Sequence, residues 1–249
     1  MADSKTGFIF LHGFLGRAET RIAGRTFEYF RGLRDVADTF DIELEVPQMP
    51  GRTGVADRAD VAAQTMAKMK ASRIVLVGNS MGGLVARTLA HELDPEHRVQ
   101  SVITVATPHR GSPLADMALE GESGMPDFIV DLFKAAVHDL SVFNADAYNA
   151  ATPNRPDINY LSWAFARDVD EMPMLLKSRA QKIFDIEGPN DGLVSVRSAT
   201  WGNCAPFQRG DHLESIGWSP ALSNAKTARP YDQTNLWRDV IQAGLKQTV

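Results

Sequence analysis

Ser80 is the residue in this 249-residue chain whose surroundings point most clearly to chemistry. It lies in Gly78-Asn79-Ser80-Met81-Gly82, after the β-branched run at 74–77 and before the helix-compatible segment at 83–87. A bare G-x-S-x-G is weak, because it arises by chance in roughly one chain in ten of this length. The strand-to-helix setting makes it specific, since a strained turn there exposes a serine hydroxyl at the end of a strand. We therefore predict that Ser80 is a nucleophile.

A serine hydroxyl needs a base within reach, and a third group must orient that base. With such a serine turn, an acid and then a histidine follow along the chain. Asp191 fits the acid, because Gly188-Pro189-Asn190-Asp191-Gly192 follows residues 182–186, which we interpret as a strand. N-D-G is also a common turn sequence, so a plain turn is the alternative. Asp185 and Asp211 are the competing acids.

The order of the chain also selects the base. Of six histidines, only His212 follows Asp191, and it lies in a polar loop before the last predicted helix. The others are His12, His91, His97, His109 and His138. A solvated loop histidine is the alternative interpretation of His212. We predict Ser80, His212 and Asp191 as a catalytic triad, with His212 as the general base.

A reacting acyl carbon also needs backbone N–H groups that stabilise the oxyanion. The residue after the nucleophile, Met81, supplies one such group in this arrangement, and a loop after an early strand supplies the other. The segment His12-Gly13-Phe14-Leu15-Gly16 follows the apolar run at 8–11, and its glycines let the backbone turn inward. We predict the N–H groups of Phe14 and Met81 as the oxyanion donors, with His12 ordering the loop or simply packing there.

These parts require a scaffold, and the rest of the chain indicates an α/β fold in a single domain spanning 1–249. Short apolar runs alternate with helical patterns, as in parallel sheets joined by crossover helices. The predicted strands are 8–11, 42–46, 74–77, 99–105, 158–163 and 182–186, and the predicted helices are 26–39, 55–70, 81–92 and 234–246. No linker or repeat divides the chain.

Composition limits the classes of partner and cofactor. The net charge of −5 argues against nucleic acid, and the single Cys204 excludes an intrachain disulfide and a cysteine metal cluster. No apolar run approaches the length of a membrane span or of the apolar part of a secretory signal. We expect a cytoplasmic protein with no transmembrane segment and no required cofactor; a secreted form whose signal had been removed would show the same sequence and is the alternative.

The alternation of strand and helix breaks between the predicted strands at 99–105 and 158–163, where residues 112–157 show helical patterns and no clear strand. We interpret about 113–150 as a helical lid, although scaffold helices would show the same pattern. The apolar residues of its amphipathic stretch form the expected inner face, which comprises Phe128, Ile129, Leu132, Phe133, Val137 and Leu140. Of these we expect Phe128, Ile129, Leu132 and Phe133 to contact the substrate.

Several motifs recur in order over nearly the whole chain: HGFLG at 12–16, GNSMGG at 78–83, TPHRGSPLAD at 107–116, INYLSW at 158–163, NDGLVSVRSATWG at 190–202 and DHLES at 211–215. With them the chain resembles the α/β-hydrolases, and among these the bacterial triacylglycerol lipases and related esterases. The resemblance implies a mostly parallel sheet flanked by helices, with a lid. It also implies hydrolysis of lipid or other acyl esters, with transient contact at a lipid interface.

Many proteins of this kind bind a structural calcium ion, and the resemblance raises that question here. Glu214 stands at one ligand position, and Asp168, Asp170 or Glu171 would supply the other. Calcium prefers several oxygen ligands, and a surface acidic loop would show the same residues, so the sequence leaves the metal undecided.

Fold and triad do not fix the substrate, so other activities remain open. Thioester or amide hydrolysis, acyl transfer and perhydrolysis use the same parts. A non-catalytic protein that binds a hydrophobic ligand is the alternative from another class, but such a protein would not need a triad and an oxyanion loop together.

Overall fold

A computed structural model describes residues 5–22, 25–122, 127–218 and 233–246 of the chain. Within these ranges the strands are β1 (Thr6–Leu11), β2 (Glu19–Ile22), β3 (Arg25–Glu28), β4 (Ile42–Glu45), β5 (Arg73–Asn79), β6 (Val99–Val105), β7 (Asn159–Trp163), β8 (Phe165–Ala166), β9 (Asn203–Cys204) and β10 (Gln208–Arg209). The α-helices are α1 (Leu33–Ala37), α2 (Val55–Lys68), α3 (Met81–Glu92), α4 (Pro113–Leu119), α5 (Asp127–Leu132), α6 (Lys134–Asp139), α7 (Val142–Ala151), α8 (Met174–Glu187), α9 (Val196–Ala199) and α10 (Gln233–Lys246).

The central sheet is parallel throughout and has the strand order β4-β1-β5-β6-β7-β9. Its middle strands are long apolar runs because helices cover both of their faces. The chain leaves β1 toward one edge and later returns to β5 on the other side of β1. The carboxyl ends of β1 and β5 therefore form a crevice at a topological switch point, where α/β sheets bind ligands.

Side chains of the central strands alternate between two cores. Ile9 and Leu11 of β1 pack on one face of the sheet, where α2 and α3 supply the opposing side chains. Phe8 and Phe10 face the other way and pack with α1 and α10. Trp237 of α10 is fully buried and meets the ring of Phe10 edge to face at 5.8 Å between ring centroids. The predicted α/β class, with helices on both faces of a parallel sheet, is confirmed.

Two of the predicted elements are wrong. Residues 182–186 are not a strand but the end of α8, whose buried Leu176, Ala180 and Ile183 recur at helical spacing while Phe184 and Ile186 are exposed. The short apolar run was indistinguishable from a strand because the helical spacing begins upstream of it. The predicted helix at 26–39 instead contains most of β3, which pairs antiparallel with β2, and the five-residue α1. Gly32, with φ 72°, interrupts the helical backbone before α1.

The predicted helical insertion lies between β6 and β7 and contains α4, α5, α6 and α7. Its amphipathic stretch is broken at Phe133, which has φ −118° and ψ 14° and separates α5 from α6. The apolar residues therefore do not form one continuous helical face. No helix in the described part of the chain is long and apolar enough to cross a bilayer.

Candidate active site

Ser80 stands at the junction of β5 and α3 in a strained conformation. Its φ of 54° and ψ of −129° form a region that non-glycine residues rarely adopt and that costs on the order of 1–3 kcal/mol. Its amide donates to the Val105 carbonyl at 2.9 Å, which fixes the turn on β6. An added Cβ at Gly82 would lie 2.0 Å from the Leu11 carbonyl oxygen, and one at Gly78 would lie 2.2 Å from the Gly82 oxygen. The motif therefore needs both glycines because backbones approach closely around the serine.

His212 and Asp191 are in direct contact. His212 Nδ1 lies 2.7 Å from Asp191 Oδ2, and both residues are buried. The other carboxylate oxygen of Asp191 accepts from the amides of Leu193 and Val194 at 2.9 and 2.7 Å. Because an ionised carboxylate can only accept, Nδ1 carries the imidazole proton, and Nε2 is left able to accept one. This is the tautomer that a general base for a serine requires.

The electrostatic environment of His212 favours the protonated imidazole. Burial lowers its pKa, but the adjacent Asp191 carboxylate, by charge and by hydrogen bond, and the nearby Asp211 outweigh burial and raise the pKa above 6.5. Within the described residues no hydrogen bond joins Ser80 to His212. Catalytic hydrogen bonds are often long without substrate and shorten when it binds.

The loops that carry His212 and Asp191 are held together by buried polar groups. The His212 amide donates to the Asp191 carbonyl at 2.8 Å. Arg167 donates through Nη2 to Glu214 Oε2 at 2.6 Å, and its backbone amide donates to the Asn190 carbonyl at 3.1 Å. Arg167 thus contacts both loops, and the sequence pattern gave no sign of this role.

The proposed oxyanion loop follows β1 and is oriented through one peptide group. The Gly13 carbonyl accepts from Arg58 Nη2 at 2.8 Å and from the Gly16 amide at 3.1 Å. In a planar trans peptide the following N–H points the opposite way, so these bonds set the direction of the Phe14 N–H. Neither Phe14 nor Met81 donates its amide to another group in the described ranges, so both amides are available to an oxyanion.

His12 orders the same loop in its neutral form. Its Nε2 accepts from the Met49 amide at 3.0 Å, so Nδ1 carries the proton and donates to the Gly13 carbonyl at 3.1 Å. Burial lowers the pKa of His12 to about 4, and the charge of Arg58 acts in the same direction. Arg58 also donates to the carbonyls of His12 and Pro50, each at 2.8 Å. His12 is therefore a structural part of the loop.

The insertion reaches this loop through Phe133, whose ring meets that of Phe14 edge to face at 5.3 Å. Leu132 is 45% exposed and does not share the packed face that the sequence predicted. The side chains of Phe128 and Ile129, expected to contact substrate, lie outside the described part of the structure. Of the four expected lid contacts, the structure therefore brings Phe133 to the site and leaves Leu132 at the surface.

Three of the four residues considered for calcium do not fit that ion, because cationic side chains already bind their carboxylates. Glu214 is paired with Arg167, Asp170 with Lys177 at 3.2 Å, and Glu171 with Arg209. A guanidinium group buried against Glu214 would repel a divalent cation. The described residues also hold no cluster of three or more acidic, histidine or cysteine ligands.

The histidines rejected on chain order lie away from the Asp191 contact. His109 is buried, stacks on Trp201 at 5.1 Å and lies near Arg87. Burial and the charge of Arg87 keep its pKa well below 6.5. His97 is exposed beside Asp157. These contacts account for both residues as structural or surface groups.

Comparison with known proteins agrees with this architecture. Residues 56–121 match the model of the PGAP1-like alpha/beta domain. Triacylglycerol lipase 2 of Saccharomyces cerevisiae is 26% identical over 211 residues, which cover 79% of this chain and 64% of the yeast protein. The chain thus spans less than two thirds of that curated relative.

Solved structures show the same fold at lower sequence identity. A metagenomic carboxyl esterase superposes with a TM-score of 0.79 at 18% identity, and the match covers 99% of this chain and 77% of the esterase chain. Staphylococcus hyicus lipase superposes with a TM-score of 0.75 at 18% identity, and the match covers 99% of this chain and 97% of the lipase. Together with the parallel sheet and the strained serine turn, these likenesses show that the chain has the α/β-hydrolase fold and resembles lipases and carboxylesterases.

Proposed function

We propose that this protein is a serine hydrolase that cleaves carboxylic esters of lipid-like acyl groups. The observation that carries the proposal is the contact between His212 and Asp191, found in the same chain as a serine in a strained strand-to-helix turn. A binding protein would need neither the oriented imidazole nor the strained serine. The similarity to lipases and esterases supports the same class of reaction.

In the first half of the proposed reaction, Ser80 Oγ attacks the ester carbonyl carbon while His212 Nε2 takes the hydroxyl proton. The carbonyl oxygen becomes an oxyanion that accepts hydrogen bonds from the amides of Phe14 and Met81. Asp191 stabilises the imidazolium and keeps its Nδ1 proton in place. The bond to the leaving oxygen then breaks, His212 returns the proton to the alcohol, and the acyl group remains on Ser80.

In the second half, water attacks the acyl carbon of this ester while His212 again takes a proton. The same two amides stabilise the second oxyanion. Collapse of that intermediate breaks the bond to Ser80 Oγ, which regains its proton from His212. The products are the carboxylic acid and the free enzyme, and no metal or organic cofactor takes part.

An apolar rim beside the oxyanion loop supports a lipid-like substrate. Phe14 contacts Phe133 of the insertion, and the residues next to them, Leu15 and Leu132, are 58% and 45% exposed. Apolar side chains that remain exposed at the mouth of a site can bind the chain of a fatty acyl group, since each buried methylene contributes about 0.8 kcal/mol.

The proposal is tested by labelling the protein with an active-serine phosphonate and measuring hydrolysis of an ester series from acetyl to long acyl chains. We expect one label, on Ser80, and faster hydrolysis of longer esters. Labelling with no ester turnover would favour thioester, amide or acyl-transfer chemistry. Absence of labelling in the folded protein would contradict a serine hydrolase and favour a binding protein.

A further inference from the structure

Asn79, the residue before the proposed nucleophile, is fully buried and lies between two hydroxyl groups. Its Oδ1 accepts from the Tyr29 hydroxyl at 2.8 Å. Its Nδ2 donates to Ser215 Oγ at 3.0 Å and to the Val105 carbonyl at 3.2 Å. The amide therefore contacts parts of the chain that are 50 residues before it and 136 residues after it.

The donor and the acceptor of each hydrogen bond among Tyr29, Asn79 and Ser215 are fixed. The Val105 carbonyl can only accept, so the NH₂ group of Asn79 faces it and the amide oxygen faces Tyr29. Burial raises the pKa of Tyr29 to about 12, so its hydroxyl keeps the proton that it donates. Ser215 gives its own proton to the His212 carbonyl at 2.7 Å and must therefore accept from Asn79.

The outer ends of the chain of bonds are the two loops of the proposed site. The Gly13 amide donates to the Tyr29 hydroxyl at 3.1 Å, one residue before the proposed oxyanion donor Phe14. An added Cβ at Gly13 would lie 3.0 Å from Ser80 Cβ, so this loop packs directly against the serine. At the other end, Ser215 binds the backbone of His212 itself.

We propose that Asn79 is a positioning residue that holds the oxyanion loop, through Tyr29, and the His212 loop, through Ser215, in register with Ser80. This inference rests on the proposed function and adds to it the group that sets the geometry. It also explains how His212 is aligned although no hydrogen bond joins it to Ser80 in the described residues. Sub-ångström misplacement of such groups slows the chemical step more than it weakens substrate binding.

Two hydroxyl deletions test the two links. Tyr29→Phe and Ser215→Ala should each lower kcat about tenfold with KM nearly unchanged, because a displaced oxyanion loop or imidazole slows the chemical step more than it weakens substrate binding. Each should slow phosphonate labelling of Ser80 in proportion, and that rate reports positioning independently of ester turnover. All rates are measured well below the melting temperature of each variant.

Matched controls remove equivalent hydroxyls from elsewhere in the fold. Tyr148→Phe deletes a hydroxyl bound to the Leu84 carbonyl at 2.8 Å, and Ser101→Ala deletes one bound to the Asn159 carbonyl at 3.2 Å. Both should lower the melting temperature and leave kcat unchanged. If Tyr29→Phe and Ser215→Ala behave like these controls, the links are structural and the proposal is overturned.

Asn79 itself is tested in a double-mutant cycle. Tyr29→Phe should lower kcat and the rate of phosphonate labelling by a smaller factor in an Asn79→Leu background than in the wild-type protein, because the connection to the serine turn is already lost there. Equal factors in both backgrounds would overturn the role of Asn79. A wild-type protein that reacts with the phosphonate but hydrolyses no ester contradicts the proposed function only, because the labelling rates of the variants still decide this inference.

Discussion

The two sides of the proposed site are built in different ways. The loops that carry Asp191 and His212 are tied down by buried polar groups, with Asp211, Glu214 and Arg167 each less than a tenth exposed. The insertion between β6 and β7 has a small packed cluster around Ala115, Ala118 and Val137. It also leaves large apolar side chains at the surface, including Phe143 at 85% exposure.

In the proposed reaction, this contrast separates the part that performs the chemistry from the part that selects the substrate. Buried hydrogen bonds have fixed directions and lose much of their energy when groups shift, so they suit the part that must keep its geometry. Apolar contacts are not directional, so an insertion held by them can adapt to acyl chains of different length. Changes on the first side should therefore affect every ester alike, and changes on the second should distinguish between esters.

The largest expected effect is that of Ser80→Ala. The fold should survive, but kcat should fall for short and long esters alike by a factor of roughly 10⁴ or more, because only oxyanion and binding contributions remain. Steady-state kinetics with a melting curve measures both. A variant that keeps a tenth of the wild-type kcat, once contaminating esterase is removed, would show that another residue is the nucleophile.

Asp191→Asn should come next. The amide can no longer accept the Nδ1 proton of His212 in the same way, so kcat should drop about a thousandfold or more for all esters. Asp185→Asn is the matched control, because Asp185 is exposed on α8 and bound to Gln181. If the control variant were the inactive one, the N-D-G segment would be a simple turn and the acid would lie elsewhere.

Phe133→Ser tests the insertion. It should lower kcat/KM for a long-chain ester about tenfold and change an acetyl ester much less, since the lost apolar contact matters only to a long chain. Phe143→Ser, at an exposed position of α7, should leave both esters unchanged when the substrates are monomeric. Equal losses on both esters with a lower melting temperature would show that Phe133 is permanent core.

The smallest expected effect is a shift in pH dependence. His212 must be neutral to take a proton, so kcat/KM should fall as the pH drops through its raised pKa. Asp211, whose own pKa is raised to about 6 by burial and by the charge of Glu214, contributes to that rise. Asp211→Asn should therefore move the acidic limb of the profile to lower pH. If the acidic limb of kcat/KM lies at the same pH in Asp211→Asn as in the wild-type protein, the charge of Asp211 does not act on His212.

The elements that could be predicted are those whose local sequence pattern is typical of the structure that they adopt. β5 is buried on both faces, so its sequence is a nearly continuous apolar run. The helix α3 begins at Met81, directly after Ser80 of the G-x-S-x-G motif. The acid was chosen from its place in the chain order, although the strand supposed to precede it is the helix α8. The element predicted before Asp191 is therefore wrong, although Asp191 does lie between Ser80 and His212 in the chain and contacts His212.

Other features of the site have no local signature. Arg58, Tyr29 and Arg167 act on groups that are 46, 50 and 47 residues away in the chain. Isolated arginines and tyrosines normally indicate surface positions or core packing, and a single sequence gives no reason to pair them with distant carbonyls. Asn79 and Ser215 did lie inside recognised motifs, but their contacts depend on how those motifs meet in space.

The parallel sheet also has a consequence for how the chain is made. Thr6 of β1 pairs with Arg73 of β5, and the His212 amide binds the Asp191 carbonyl, so the proposed site combines segments that are far apart in the chain. Non-local pairings of this kind form slowly, because distant segments must meet before any contact repays the lost chain entropy. During synthesis, a chain that ends before residue 212 already contains the serine turn but lacks His212, the proposed base. On the proposed mechanism, ester hydrolysis therefore has to await the last loops, and the nascent protein would be unable to cleave esters.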